Sequence, residues 1–305
     1  MVNKGLISVV VVTRNRKHDL LVCLEAIYAQ NYKNIEIILV NNASTDSTSY
    51  IIRSKFPKIT LINNSTNVGA AEGRNLGLNR SGGKYILFLD DDTKADPDMI
   101  TNLKSVIESD STIGIVQPKI YEMGKKKMLQ GVGHGINLLT GRVYGIGVHI
   151  KDTGQFEQLM DIPMAGCTWM VKRKVFNKIG KYDKDFFIPY EDSDFSQRAR
   201  EAGFRVCFVP SAVIYHRGVK TTTIDPHLEW IGVTTPERAY RVSRNKIMFM
   251  KKHAPALNLL IFLFIFTPVY ALLHTMIIIS SKRLDILIDY WKGLFSGFGY
   301  VLFKS

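Results

Sequence analysis

With 305 residues, of which 46% are hydrophobic, 22% charged and 10% aromatic, the chain has the composition of a folded globular protein able to bury a sizeable core, which excludes disordered and fibrous classes. Its 40 Lys and Arg against 27 Asp and Glu give a net charge of +13 and point to an anionic partner. No aromatic-and-basic RNA motif, zinc-finger spacing or basic heptad region occurs, so phosphorylated small molecules and anionic lipid rank ahead of nucleic acid.

The first run, "LISVVVVT" (6–13), is continuously apolar, as a strand buried on both faces would be. It is too short and too β-branched for a signal peptide, and "RNRKHD" follows it where a cleavage site would lie. "DLLVCLEAIYAQ" (19–30) has helical spacing with Asp19 placed to cap it, and "IEIILV" (35–40) is a second strand. A helix opening on Thr45 and Asp46 (45–56), a strand at 58–63, a helix at 69–80 and a strand "YILFL" at 85–89 continue the alternation. A helix with Pro97 in its first turn (97–109) and a strand at 113–118 close this half. The βαβ rhythm predicts an α/β fold with a mostly parallel sheet covered by helices on both faces.

From about 119 to 160 glycines accumulate, and loops with antiparallel strands are expected. Helices follow at 172–180 and 191–203, with a strand at 205–210 between the second of them and "VIYH". Residues 235–254 form a basic amphipathic pattern. Residues 259–279 carry no formal charge with His274 neutral, the length a membrane span needs. Pro268 near the middle leaves open one kinked span or a re-entrant pair of helices, and a buried core helix pair is the structural alternative. Residues 284–303, with Tyr290, Trp291 and Tyr300, suit an interfacial helix lying on headgroups. Cys23, Cys167 and Cys207 are odd in number and far apart, which argues for a reducing compartment, the cytosol.

In an open α/β sheet ligands collect at the carboxyl ends of strands. Four such ends carry polar clusters, "TRN" (13–15), "NNAST" (41–45), "NNSTN" (63–67) and "DDDT" (90–93), and these are expected to line one crevice. Asp90 and Asp92, at i and i+2 of an extended segment, can share one hard cation, and an acidic turn capping the next helix is the structural alternative. The glycines of "NVGAAEGRNLGL" match neither a P-loop nor a dinucleotide fingerprint, although they and Arg74 would permit approach to a diphosphate. Glu191, Asp192 and Asp194 open a helix, where they either complement its dipole or supply a general base. His216, after a strand, is either a metal ligand or a surface histidine.

The ordered set "SVVVVTRNR", "VNNASTDST", "NVGAAEGRNLGL", "YILFLDDDT", "MAGCTWMVKRKVF", "GKYDKDFFIPYEDSDFSQRAREAGFRVCFVPSAVIYH" and "YRVSRNKIMF" resembles glycosyltransferase family 2, with its GT-A nucleotide-diphosphosugar transferase fold, over about residues 6 to 250. It is most similar to the rhamnosyltransferase-like branch, whose members often end in a hydrophobic membrane-associating tail. The resemblance implies that Thr13 and Asn15 line the nucleotide pocket, Asn41 and Asn42 meet the base, and Arg74 lies near the diphosphate. It gives Asp90 to the ribose or base and the metal, Asp91 to the same pocket, and Asp92 to the Mg2+ or Mn2+ ion as main ligand, with His216 completing the metal site. Asp192 would be the catalytic base with Glu191 beside it, and Gly166 would allow close approach on the acceptor side, where Trp169 either offers a face to a sugar or lipid or packs in the core. Where the family usually has Val-Asp-Asn this chain has "VNN", so Asn41 stands where an acid often meets the base, with an amide that can both accept and donate.

The implied reaction is inverting, metal-dependent transfer from a nucleotide-diphosphate sugar to a lipid-linked or other glycan acceptor, on the cytoplasmic side of the cell membrane. The implied domains are 1–234 for catalysis (1–118 for the donor, 119–234 for the acceptor), the basic helix 235–256 and a membrane-associating tail 257–305. Self-association stays open. A nucleotidyltransferase shares paired acids on an α/β design but has no use for the 191–194 cluster, and a silent membrane-bound sugar-binding protein would not need every acid intact.

Overall fold

The structure is a computed structural model and describes residues 3–218 and 225–303. The chain divides into two compact units. Among the described residues, the first comprises 3–135, 145–187 and 191–218, and the second comprises 136–144, 188–190 and 225–303.

The first unit opens with β1 (Asn3–Thr13), α1 (Lys17–Tyr28), β2 (Ile35–Asn42), α2 (Thr48–Lys55), β3 (Thr60–Asn64), α3 (Gly69–Arg80) and β4 (Gly83–Asp90). β3, β2, β1 and β4 pair in parallel in that order, with β1 central. β1 carries the apolar run Val9 to Val12 because both its faces are covered. Ile7, Val9 and Val11 join Leu20, Leu24 and Ile27 of α1 in one core, while Val10 joins Ala71 and Leu78 of α3 in the other. The α3 glycines serve this packing. A Cβ on Gly73 would stand 2.8 Å from Val12, and one on Gly77 would stand 2.3 Å from Val10, so the helix lies flush on β1.

β5 (Thr93–Ala95), α4 (Met99–Ser109) and β6 (Ile113–Glu122) come next, followed by β7 (Met128–Gly131), β8 (Gly133–Ile136), β9 (Val143–Ile146), β10 (Ile150–Lys151) and β11 (Met160–Asp161). β8 and β9 form a separate two-stranded sheet. β12 (Trp169–Lys172) leads into α5 (Arg173–Ile179), and a 3-10 turn (Lys184–Phe186) precedes α6 (Glu191–Glu201) and β13 (Arg205–His216). β12 inserts antiparallel between β4 and β6, which interrupts the parallel order that alternation alone predicts. β13 runs six residues beyond the expected 205–210 and pairs parallel with β6 and antiparallel with β5.

Helix starts differ from the sequence reading by two or three residues in either direction. α1 begins two residues before Asp19, whose carboxylate pairs with Arg217 at 2.7 Å. α2 begins at Thr48, with Asp46 accepting from the Thr48 hydroxyl at 2.5 Å. α4 begins at Met99, beyond Pro97. In each case a polar side chain near the end satisfies a neighbour and the first helical turn falls within three residues of it.

The second unit holds α7 (Pro226–Trp230), α8 (Pro236–His253), α9 (Ala256–Ile261), a π-helical turn (Phe262–Phe266), α10 (Thr267–Ser280) and α11 (Leu284–Phe303). α9 through α10 form one continuous 25-residue helix, long and apolar enough to cross a membrane, with 22% of its most apolar window buried. The Thr267 amide reaches back to Phe262 O, a wider turn that absorbs the donor missing at Pro268, so the proline does not split the helix in two. α11, expected to lie on headgroups, packs along α8. A Cβ on Gly293 would meet the Ser243 hydroxyl at 2.1 Å, one on Gly297 would meet Ile247 at 2.9 Å, and the Ser243 hydroxyl donates to Tyr290 O at 2.9 Å.

Candidate active site

Strand register builds the crevice. Thr13 at the end of β1 sits opposite Asn41 of β2, Asn41 sits opposite Asn63 of β3, and Val12 sits opposite Asp90 of β4. The four polar tips read from the sequence therefore stand side by side along one sheet edge.

At that edge the three aspartates have three different partners. The Thr13 hydroxyl donates to Asp91 Oδ2 at 2.7 Å, and burial pushes the Asp91 pKa up to about 7 against the pull of Thr13 and Arg16. Asp92, buried, is gripped on both oxygens, Oδ2 at 2.5 Å from Arg16 Nη1 and Oδ1 at 2.9 Å from His216 Nε2. Burial opposes the Asp92 charge, but His216 and Arg16 outweigh it and hold the carboxyl below its usual range. Asp90 accepts from Arg74 Nη2 at 3.4 Å. Mutual repulsion in "DDD" is thus relieved by two arginines, one histidine and one hydroxyl.

His216 reaches this place because β13 pairs with β5, setting His216 opposite Thr93. Its Nδ1 lies 2.6 Å from Gln130 Oε1, and with Nδ1–H donating there, Nε2 faces the carboxylates. Asp90, Cys167 and His216 each present a ligand atom within 4.8 Å of the others. Carboxylate, imidazole and thiol converging in this way, with the Arg16 guanidinium already standing as a cation against Asp92, fit a divalent metal ion.

The opposite wall comes from α6 and from the loop before β12. Arg74 Nη1 lies 2.7 Å from Glu191 Oε1, so one guanidinium ties the β4 end to the start of α6. Burial and the adjacent Asp192 raise Glu191 to about 7, and Arg74 opposes them. Asp192 is half-buried, with Oδ1 accepting the Ser193 amide at 2.7 Å. A Cβ on Gly166 would stand 3.2 Å from both Asp192 Oδ2 and His134 Cε1, so that glycine keeps the space beside the carboxylate open. Asp194 is fully buried and pairs with Arg198 at 2.8 Å, one turn along, which is a structural use.

Some side chains have other uses than the family pattern assigns. Trp169, expected to offer a face to the acceptor, is 1% exposed. Its indole donates to the Tyr182 hydroxyl at 3.0 Å, and its ring lies 4.7 Å below the Arg74 guanidinium, so it supports Arg74 from the core. The first amides of α3 donate to Phe187 O, at 2.9 Å from Ala70 and 3.1 Å from Ala71, and therefore do not point at a ligand. Asn41 bonds Ser49 and Asn63, Asn42 bonds Asn67 and the Val68 amide, and Asn15 accepts from the Thr45 amide at 2.7 Å. These asparagines hold the loops that form the crevice wall. Arg16, Gln130, His134 and Cys167 were not singled out from the sequence. Arg16 alone carried a signal, as the basic residue right after the first polar strand tip.

The family model described as glycosyl transferase family 2 matches residues 8–180. An uncharacterized glycosyltransferase of Haemophilus influenzae is 31% identical over 175 residues, 57% of this chain and 55% of that protein, so the chain spans about half of that relative's length. The dTDP-rhamnosyl transferase RfbF of Shigella flexneri is 25% identical over 262 residues, 82% of this chain and 81% of that protein. In fold, the chain is similar to a mannosyltransferase from Pyrobaculum calidifontis solved with GDP-Man and Mn2+, with a TM-score of 0.56, 17% identity and coverage of 98% of this chain and 87% of that one.

Proposed function

This chain belongs to glycosyl transferase family 2, and from that premise we propose that it transfers a sugar, with inversion at the anomeric carbon, from a nucleotide-diphosphate donor to a hydroxyl of a membrane-linked glycan or lipid on the cytoplasmic side of the cell membrane. The observation that carries the reading is the pairing of two acidic walls through one arginine. Asp90 and Asp92 lie on the donor side, Asp192 lies on the acceptor side, and Arg74 bonds both Asp90 and Glu191.

Asp192 takes the proton from the acceptor hydroxyl as its oxygen bonds to the anomeric carbon, and the bond from that carbon to the diphosphate oxygen breaks on the opposite face. Gly166 leaves room for the acceptor against Asp192. Thr13, Asn15, Asn41 and Asn42 shape the nucleoside pocket, and Arg74 sets the distance between its two acidic neighbours. A divalent cation held by Asp92, Asp90 and His216 would supply positive charge to the leaving diphosphate, as Mn2+ accompanies GDP-Man in the related mannosyltransferase fold. The apolar helix and the basic α8 support membrane attachment, which keeps the enzyme where lipid-linked acceptors reside.

The test is incubation with a panel of nucleotide sugars, Mn2+ and a lipid-linked saccharide. Acceptor-dependent release of nucleoside diphosphate supports the reading. Release of pyrophosphate would mean nucleotidyl transfer, and no turnover with any donor would mean a binding protein.

A further inference from the structure

Cys167 lies within the stretch "MAGCTWMVKRKVF" but has no role in the site described so far, and it sits where Asp90 and His216 converge. We propose that the Cys167 thiol is a ligand of the cation site, so that the metal is held by carboxylate, imidazole and thiolate and not by carboxylates and imidazole alone. The proposal rests on the reading that a cation occupies the crevice of Asp90, Asp92 and His216.

Three features place the sulfur there. The ligand atoms of Cys167, Asp90 and His216 fall within 4.8 Å of one another, close enough to surround one ion after small side-chain rotations. Residue 167 has φ +68, a left-handed conformation that glycine would adopt freely, and a side chain with Cβ is kept at this strained position beside the site. The turn is held from both sides, the Gly166 amide donating to Gln117 Oε1 at 2.8 Å and the Thr168 amide to Gly166 O at 2.9 Å, which fixes the backbone from which the thiol projects. Gln130 against His216 Nδ1 leaves Nε2 for the same ion.

Coordination breaks the S–H bond, sends the proton to solvent and gives a sulfur lone pair to the cation, with no change in oxidation state. A thiolate in the set shifts preference away from Mg2+ and toward softer ions such as Co2+ and Zn2+.

The experiment titrates the full-length protein with Co2+, with and without a nucleoside diphosphate, and follows both the visible d–d bands and the near-ultraviolet thiolate-to-cobalt band. The expected result is a thiolate band in the parent protein that Cys167→Ser abolishes, with Co2+ binding weakened by more than about tenfold. Cys23→Ser, which alters the other thiol near Asp90 O, should keep the band. Circular dichroism checks that Cys167→Ser folds, and Cys167→Ala serves if it does not. Co2+ binding through d–d bands without any thiolate band overturns the role of Cys167 while leaving the metal reading intact. Absence of Co2+ binding under every condition overturns both.

Discussion

Arg74 and Glu191 form a buried ion pair, 2.7 Å apart, between residues 117 positions distant in sequence. Both side chains are almost fully enclosed, and Arg74 rests on the Trp169 ring at 4.7 Å. Breaking such a pair leaves one buried charge uncompensated, which costs about 3–5 kcal/mol. Arg74→Ala should therefore lower unfolding stability by about that amount in urea titration. The double variant Arg74→Ala/Glu191→Gln should recover at least about 1 kcal/mol of it, since neighbours in one network are not additive. Strict additivity of the two single changes would show that the pair is not coupled.

Asp192→Asn should reduce turnover by ~10²–10⁴-fold, the usual contribution of a positioned base. Donor binding should persist, because Asp192 stands on the α6 wall, across from Asp90 to Asp92, and the amide can still accept from the Ser193 backbone. Calorimetry with a nucleoside diphosphate and Mn2+, run beside the transfer assay, separates the two effects. Near-normal transfer would remove Asp192 from its role.

Arg16 occupies Asp92 Oδ2 at 2.5 Å and is itself about one-third exposed, so its hold on the buried carboxylate competes with a metal ion and is partly screened by solvent. A pair of this kind is worth about 0.2–1 kcal/mol. Arg16→Ala should bind Mn2+ about two- to fivefold more tightly in the absence of donor, read by electron paramagnetic resonance of free Mn2+. Weaker binding would mean that Arg16 orders the site for the ion.

How far the sequence foretold this site follows from chain locality. The four polar strand tips and the acids at 90–92 and 191–192 were legible because each follows or opens one regular element, and parallel register then aligned them. His216 left two readings open, since only the pairing of β13 with β5 brings it to Asp92. His134 and Cys167 sit in glycine-rich or left-handed backbone without periodicity, so no local pattern marks them. Trp169 left two readings open, acceptor face or core, for the converse reason. Its place on β12 looks like an acceptor wall, but β12 inserts between β4 and β6 and carries the ring into the core.

Away from the crevice, Lys119 is buried between Asp152 at 2.9 Å and Glu157 at 2.7 Å. Burial works against the Asp152 charge, but the Tyr121 hydroxyl, the Gly154 amide and Lys119 outweigh it and hold the carboxyl at about 2. A folded pKa below the unfolded one stabilises the protein above the unfolded value near 3.8, and that stability drains away as pH falls from there toward 2. Asp152→Asn should cost about 2 kcal/mol at neutral pH and flatten the acid limb between those values, measured as urea midpoints against pH. An unchanged acid limb would contradict the assignment.

The long apolar helix gives the last expectation. Phe264 is 75% exposed and Leu272 57%, and Ile265, Leu273 and Met276 are exposed with them. The whole window carries no formal charge with His274 neutral, so water is a poor solvent for this face and hydrocarbon a good one. Burial of one such side chain is worth about 1.5–3 kcal/mol. The full-length protein should float with anionic lipid vesicles and remain bound in high salt, which screens α8 but leaves apolar contacts untouched. Phe264→Ser/Leu272→Ser should move a large fraction to the unbound pool while its circular dichroism melt stays put, because neither residue is in the core. Release of the parent protein by salt alone would assign attachment to the basic helix, and the apolar face would then need a protein partner.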